Sequence, residues 1–145
     1  MEEGLGCILE SFDITLPDTG CYSPVILAYI GDAVYETVVR TVIISKGNKS
    51  VKKLHAQATE YTSAAGQAKL FRNIKDLLSE EEYTIFKRGR NSNSHSSAKN
   101  ASVSDYRHAT GLETLLGFLY INGNYKRVVE LIKSGWSKTE YSAGI

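Results

Sequence analysis

A chain of 145 residues with 42% hydrophobic and 23% charged side chains is about one domain long and can bury a core without disulfide or metal staples. No apolar run approaches a membrane span, and Met1-Glu2-Glu3 leads into no basic-then-apolar stretch; a secretory signal is therefore not expected, and a soluble, cytoplasmic protein is. The net charge of +1 decides nothing about nucleic acid by itself, because it hides an uneven distribution: residues 1–20 hold five acids and no base, whereas residues 87–108 carry a net +4.

Cys7 and Cys21 are neither CxxC-spaced nor accompanied by a histidine cluster; they read as reduced thiols, though a Cys7–Cys21 disulfide stays open. After the polar, acidic lead, with Pro17, Gly20 and Pro24, the segment from about Val25 to Ile44 is apolar nearly all round, which predicts a central buried helix. Its charges, Asp32, Glu36 and Arg40, recur every four residues and form one stripe. A Glu36–Arg40 pair is expected, leaving Asp32 without a base of its own. Gly47 and Asn48 break the chain, and helical pattern resumes from about Ser50 to Leu77 with a kink near Thr59 to Ser63. Within it, TSAAGQA (Thr62 to Ala68) offers small side chains suited to tight helix packing rather than to chemistry.

Ser79 and Glu82 fit a capping box opening a helix that ends near Gly89. A polar connection then runs to about Ser102, long enough to be either functional or a mobile surface loop. Ser104 can cap the next helix, which carries Glu113 and reaches about Asn122, and Tyr125 to Lys133 makes a last short helix. No strand-like alternation of useful length occurs, so an all-α domain is expected.

Asp32, within LAYIGDAVYE, and Glu113, within GLETLLGFLY, both lie among buried-type side chains. Desolvating an unpaired carboxylate costs several kcal/mol on the order given for buried ions, so a compensator is needed, and a metal ion is one. The histidines do not supply a rival centre: His55, His95 and His108 form no pair at zinc spacing and are expected to face solvent or a ligand. No G-x-S-x-G elbow supports a serine nucleophile.

The pieces LAYIGDAVYE, SAAGQA, FKRGRN (Phe86 to Asn91), Lys99-Asn100, Tyr106-Arg107 and LETLLGFLY stand in an order and spacing that resemble the catalytic domain of the ribonuclease III superfamily. The closer resemblance is to its short Mini-III members, and it covers about Val25 to Leu131. It implies a helical homodimer that cuts double-stranded RNA with Mg²⁺, Mn²⁺ being able to substitute, and leaves 5′-phosphate and 3′-hydroxyl ends. It further implies trimming of precursor 23S (large-subunit) ribosomal RNA, with a large-subunit ribosomal protein as a candidate assistant. Carried over by residue, Asp32 and Glu113 are the catalytic pair and the metal ligands. The domain reading becomes an acidic extension over 1–20, a ribonuclease III-like catalytic domain over 21–134, a tail over 135–145 and no double-stranded-RNA-binding domain. Full-length members carry additional acids at places that are here Val25, Ala28 and Thr110, a loss shared with the short members. Gly111 and Leu112 replace the bulkier-then-smaller filling expected before Glu113, and a mid-helix glycine costs about 1 kcal/mol relative to alanine.

Duplex RNA is gripped mainly through phosphates and 2′-hydroxyls. Lys87, Arg88, Arg90 and Lys99 offer cations and Asn91 and Asn100 amides, all expected in the polar connection, with Arg107 adding a contact from the Glu113 helix. Tyr106, beside it, is a further candidate for RNA contact. Two alternatives compete with the enzyme: a catalytically inactive ribonuclease III-fold protein that binds RNA or the ribosome, and a helical interaction module with a basic loop.

Overall fold

A side-chain oxygen caps each long helix of this computed structural model, which describes residues 3–92 and 102–138. The first turn of a helix leaves backbone N–H groups without partners, and a serine or asparagine just ahead of it supplies an acceptor. Ser23 opens α2 (Pro24–Ile44), with Pro24 in its first turn, where a missing N–H costs nothing. Ser50 opens α3 (Val51–Thr62), and Ser63 both ends α3 and opens α4 (Ala64–Ile74), realising the expected kink as a break. A 3-10 turn over Lys75–Leu77 leads to α5 (Glu80–Arg90), whose Ser79–Glu82 capping box forms as expected. Helix α6 (Val103–Ile121) is capped by Ser102, not Ser104, because it begins earlier than its apolar pattern suggests. Asn124 caps α7 (Tyr125–Ser137). Ahead of these, the acidic lead contains a helix, α1 (Glu3–Ser11), and a 3-10 turn at Thr19–Cys21. The described residues contain no strand, and the domain is all-α.

Helices α2 and α6 form the central pair, with α5, α4 and α7 packed around α6 and α3 against α2. Two glycines let the central pair touch backbone to backbone. A Cβ on Gly31 would overlap the Glu113 carbonyl oxygen, and one on Gly117 would overlap the Leu27 carbonyl oxygen. Gly111 does the same for α5: a Cβ there would lie 2.6 Å from the Phe86 ring and 2.8 Å from its carbonyl oxygen. The close packing gained offsets the propensity cost of a mid-helix glycine.

The core joins Tyr35 and Val39 of α2, Tyr61 of α3, Leu70 and Ile74 of α4, Leu112, Leu115 and Leu116 of α6, and Leu131, Ile132 and Trp136 of α7. Trp136 packs its ring 4.9 Å from that of Tyr61, which carries α7 on to Ser137 rather than ending it at Lys133. Glu82 has a second role besides capping. Both its carboxylate oxygens accept from the Arg127 guanidinium at 2.9 Å, which ties α5 to α7 and holds the Glu82 carboxyl below its ordinary range.

Helix α2 is not buried all round. Val25, Ile26 and Tyr29 are exposed, Tyr29 at 80%, and Ile8 and Phe12 of the preceding segment are exposed too. Cys7 and Cys21 are free thiols on the surface. No described helix is long and apolar enough to cross a membrane.

Candidate active site

The glycine crossing of α2 and α6 sets the site's geometry. Gly31 permits contact with the backbone of Glu113, and Asp32 is the next residue, so the two carboxyl groups come within hydrogen-bonding reach from helices that are distant in sequence. Their surroundings differ. Asp32 is exposed, which corrects the expectation of two buried acids, whereas Glu113 is partly enclosed between α2, α4 and α6. The reason is rotational: on α2 Asp32 flanks the contact glycine, while Glu113 points across the crossing.

Burial pushes the Glu113 carboxyl up to about 8, and the charge of Asp32, the hydrogen bond to Asp32 and the more distant charge of Glu36 act in the same direction. One influence opposes them, a hydrogen bond donated by Gln67 Nε2 to Glu113 Oε2 at 3.3 Å. Glu36 is itself neutralised by Arg40, whose Nε donates to it at 2.9 Å, as the spacing of the stripe predicts. Neither Asp32 nor Glu113 makes an ion pair with a described basic side chain.

A carboxyl pair without a basic partner fits a divalent cation, whose charge would offset the burial and the Asp32 charge that hold the Glu113 proton. Among the described residues no group of three or more His, Cys, Asp and Glu side chains could hold a metal. Two carboxyl groups suit Mg²⁺, an ion that keeps several waters and binds through one or two carboxylates plus phosphate.

The basic residues are placed differently from expectation. Lys87, Arg88 and Arg90 occupy the last turn of α5, and Asn91 is its C-cap. Helix α5 ends at Arg90, close to the expected Gly89; its Phe86 stacks on Phe71 with ring centroids 3.7 Å apart, and cations are favourable at a helix C-terminus. Lys87 lies over the Tyr83 ring, and Arg90 lies over the Phe86 ring while donating to Asn91 Oδ1. Arg88 is exposed, as is Arg107 on α6. Lys99, Asn100 and His95 lie outside the described residues. His108 is half-buried: one side packs beside Phe71 and Phe86, and Nδ1 lies 2.7 Å from the Ser104 carbonyl oxygen. His55 is exposed.

Sequence reasoning missed two features. Gln67 was grouped with the small packing residues of TSAAGQA, although a lone amide in such a stretch is a signal of its own. Residues 41–59 carry Lys46, Lys49, Lys52 and Lys53 and no acid, a second basic tract at the α2–α3 turn.

Comparison with known proteins establishes the family. The family model for the ribonuclease III domain matches residues 26–124. The chain is 48% identical to the Mini-ribonuclease 3 of Clostridium tetani (strain Massachusetts / E88) over 83% of its length and 81% of that protein. It is 41% identical to the Mini-ribonuclease 3 of Thermoanaerobacter sp. (strain X514), covering 92% of this chain and 94% of that one. The crystal structure of protein FN1578 from Fusobacterium nucleatum superposes with a TM-score of 0.74 at 28% identity, covering 82% of this chain and 96% of the other. The chain belongs to the ribonuclease III family, among its Mini-ribonuclease 3 members, and is an endoribonuclease.

Proposed function

We propose that the chain cleaves double-stranded RNA in a Mg²⁺-dependent reaction at Asp32 and Glu113, leaving 5′-phosphate and 3′-hydroxyl ends, and that its substrate is precursor 23S ribosomal RNA. The observation that carries this reading is the juxtaposition of the two carboxyls with no basic side chain against either among the described residues. When bound, Mg²⁺ or Mn²⁺ supplies an acidified water and neutralises charge building on the phosphate. Asp32, exposed beside the crossing, would hold the ion through its carboxylate. Glu113, held at the α2–α6 contact, would be the second carboxylate ligand and would have to lose its proton to serve as one.

The basic turn at the end of α5 and Arg107 support duplex binding, with Lys87, Arg88, Arg90 and Asn91 clustered at one helix end. Lys99 and Asn100 follow them in the chain and are proposed to join the same grip. The exposed apolar residues Val25, Ile26 and Tyr29 beside the acid pair support a two-fold homodimer built on α2, which would give each RNA strand its own site.

The test is incubation of the purified chain with precursor ribosomal RNA and with a generic RNA duplex, with and without Mg²⁺. Discrete products from the precursor only with the metal are expected. Binding without cleavage would identify an inactive RNA-binding relative instead, and full cleavage in excess EDTA would defeat the metal mechanism.

A further inference from the structure

Gln67 is 3% exposed, and its amide is used from one end only. Nε2 donates to the Thr62 carbonyl at 3.0 Å and to Glu113 Oε2 at 3.3 Å, whereas Oε1, fully enclosed, has no donor among the described residues. The local fold is arranged around this amide. Ser63 leaves helical geometry (φ −63°, ψ 160°) and ends α3, so the Thr62 carbonyl is left over from the last turn. A Cβ on Gly66 would overlap the Glu60 carbonyl oxygen, so glycine lets α4 close over the end of α3 and bring Gln67 to that carbonyl.

A side chain kept for packing alone would do better as methionine or leucine, which fill a similar volume without enclosing an unpaired oxygen. What the glutamine adds is two N–H donors fixed in direction, one anchored to the backbone at the helix break and one aimed at Glu113. We infer that Gln67 is a positioning residue, which locks the rotation of the Glu113 carboxylate by holding Oε2 and so presets the other oxygen for the metal. This rests on the reading of Asp32 and Glu113 as the metal-holding pair. Partners that orient metal ligands in this way typically change metal affinity or activity by about 10–100-fold when removed.

The experiment compares the full-length wild type with Gln67→Met and Gln67→Leu in four measurements: Mn²⁺ binding without RNA by calorimetry, duplex affinity in Ca²⁺, single-turnover cleavage in Mg²⁺, and melting temperature. The variants should bind duplex RNA as wild type does and melt at most a few degrees lower, because the Thr62 carbonyl and Glu113 each lose a donor, while Mn²⁺ affinity and cleavage rate fall by about 10-fold or more. Wild-type Mn²⁺ affinity and cleavage in the variants would overturn the inference. So would a parallel fall in melting temperature and RNA affinity, or failure of both variants to fold, since the amide would then be structural. A wild type that neither binds Mn²⁺ nor cuts would sink the metal-pair reading and this inference with it. A wild type that does both, beside unaffected variants, would sink the role of Gln67 alone.

Discussion

Glu113 sits where a carboxylate resists ionisation, and that resistance has a thermodynamic signature. Its folded value, about 8, lies above the ordinary 4.5, so between these two pH values the folded, metal-free chain binds more protons here than the unfolded chain. Stability must then fall as pH rises through that window, and the contribution is complete only below the lower value. The melting temperature of the metal-free wild type should therefore drop more steeply from about pH 5 to pH 8 than that of Glu113→Gln, which has no proton to lose. Parallel profiles would contradict the placement of Glu113. At this scale the sequence was legible where acids stand in apolar surroundings, which exposed Asp32 and Glu113. Gln67 was hidden because its role depends on a carbonyl released by a helix break and on a partner from a distant helix, neither of which local pattern encodes.

Among the elements, the α2–α6 crossing carries the site. Inserting a methyl group into a packed contact typically costs about 1–3 kcal/mol, and the cost at Gly31 should reach at least that range because the obstacle is the Glu113 backbone rather than a movable side chain. Gly31→Ala should lower the melting temperature and abolish cleavage, since the helices must part just where the carboxyls meet. Gly20→Ala, with nothing within 4 Å of the added carbon, should leave both unchanged. Wild-type cleavage by Gly31→Ala would show that the crossing does not set the geometry. The helices themselves were readable from serine caps, glycine breaks and apolar periodicity. The end of α7 was less so: Trp136 prolongs it through contacts made with other helices.

On the scale of the whole molecule, net charge and charge placement separate. A chain of net +1 places three of its cations at the end of α5 and four around the α2–α3 turn, while its first twenty residues carry acids only. If the α5 end grips duplex RNA, removing charge at Arg88 and Arg90 should weaken binding and flatten its salt dependence, each lost phosphate contact lowering the log–log slope by roughly 0.9 on the duplex DNA scale. Unchanged affinity and slope would return these residues to a solvated surface. Charge asymmetry was visible in sequence, but the placement of Lys87, Arg88 and Arg90 together in the last turn of α5 was not.

The central claim is that two carboxyls joined by a glycine crossing form a metal-dependent cutting site, and it is tested most directly by Asp32→Asn. Duplex RNA binding is measured in Ca²⁺ and cleavage across a Mg²⁺ titration. The amide keeps the shape of the side chain but is a poor ligand, so binding should stay close to wild type while cleavage is absent at every Mg²⁺ concentration. Wild-type turnover by Asp32→Asn at saturating Mg²⁺ would contradict the assignment.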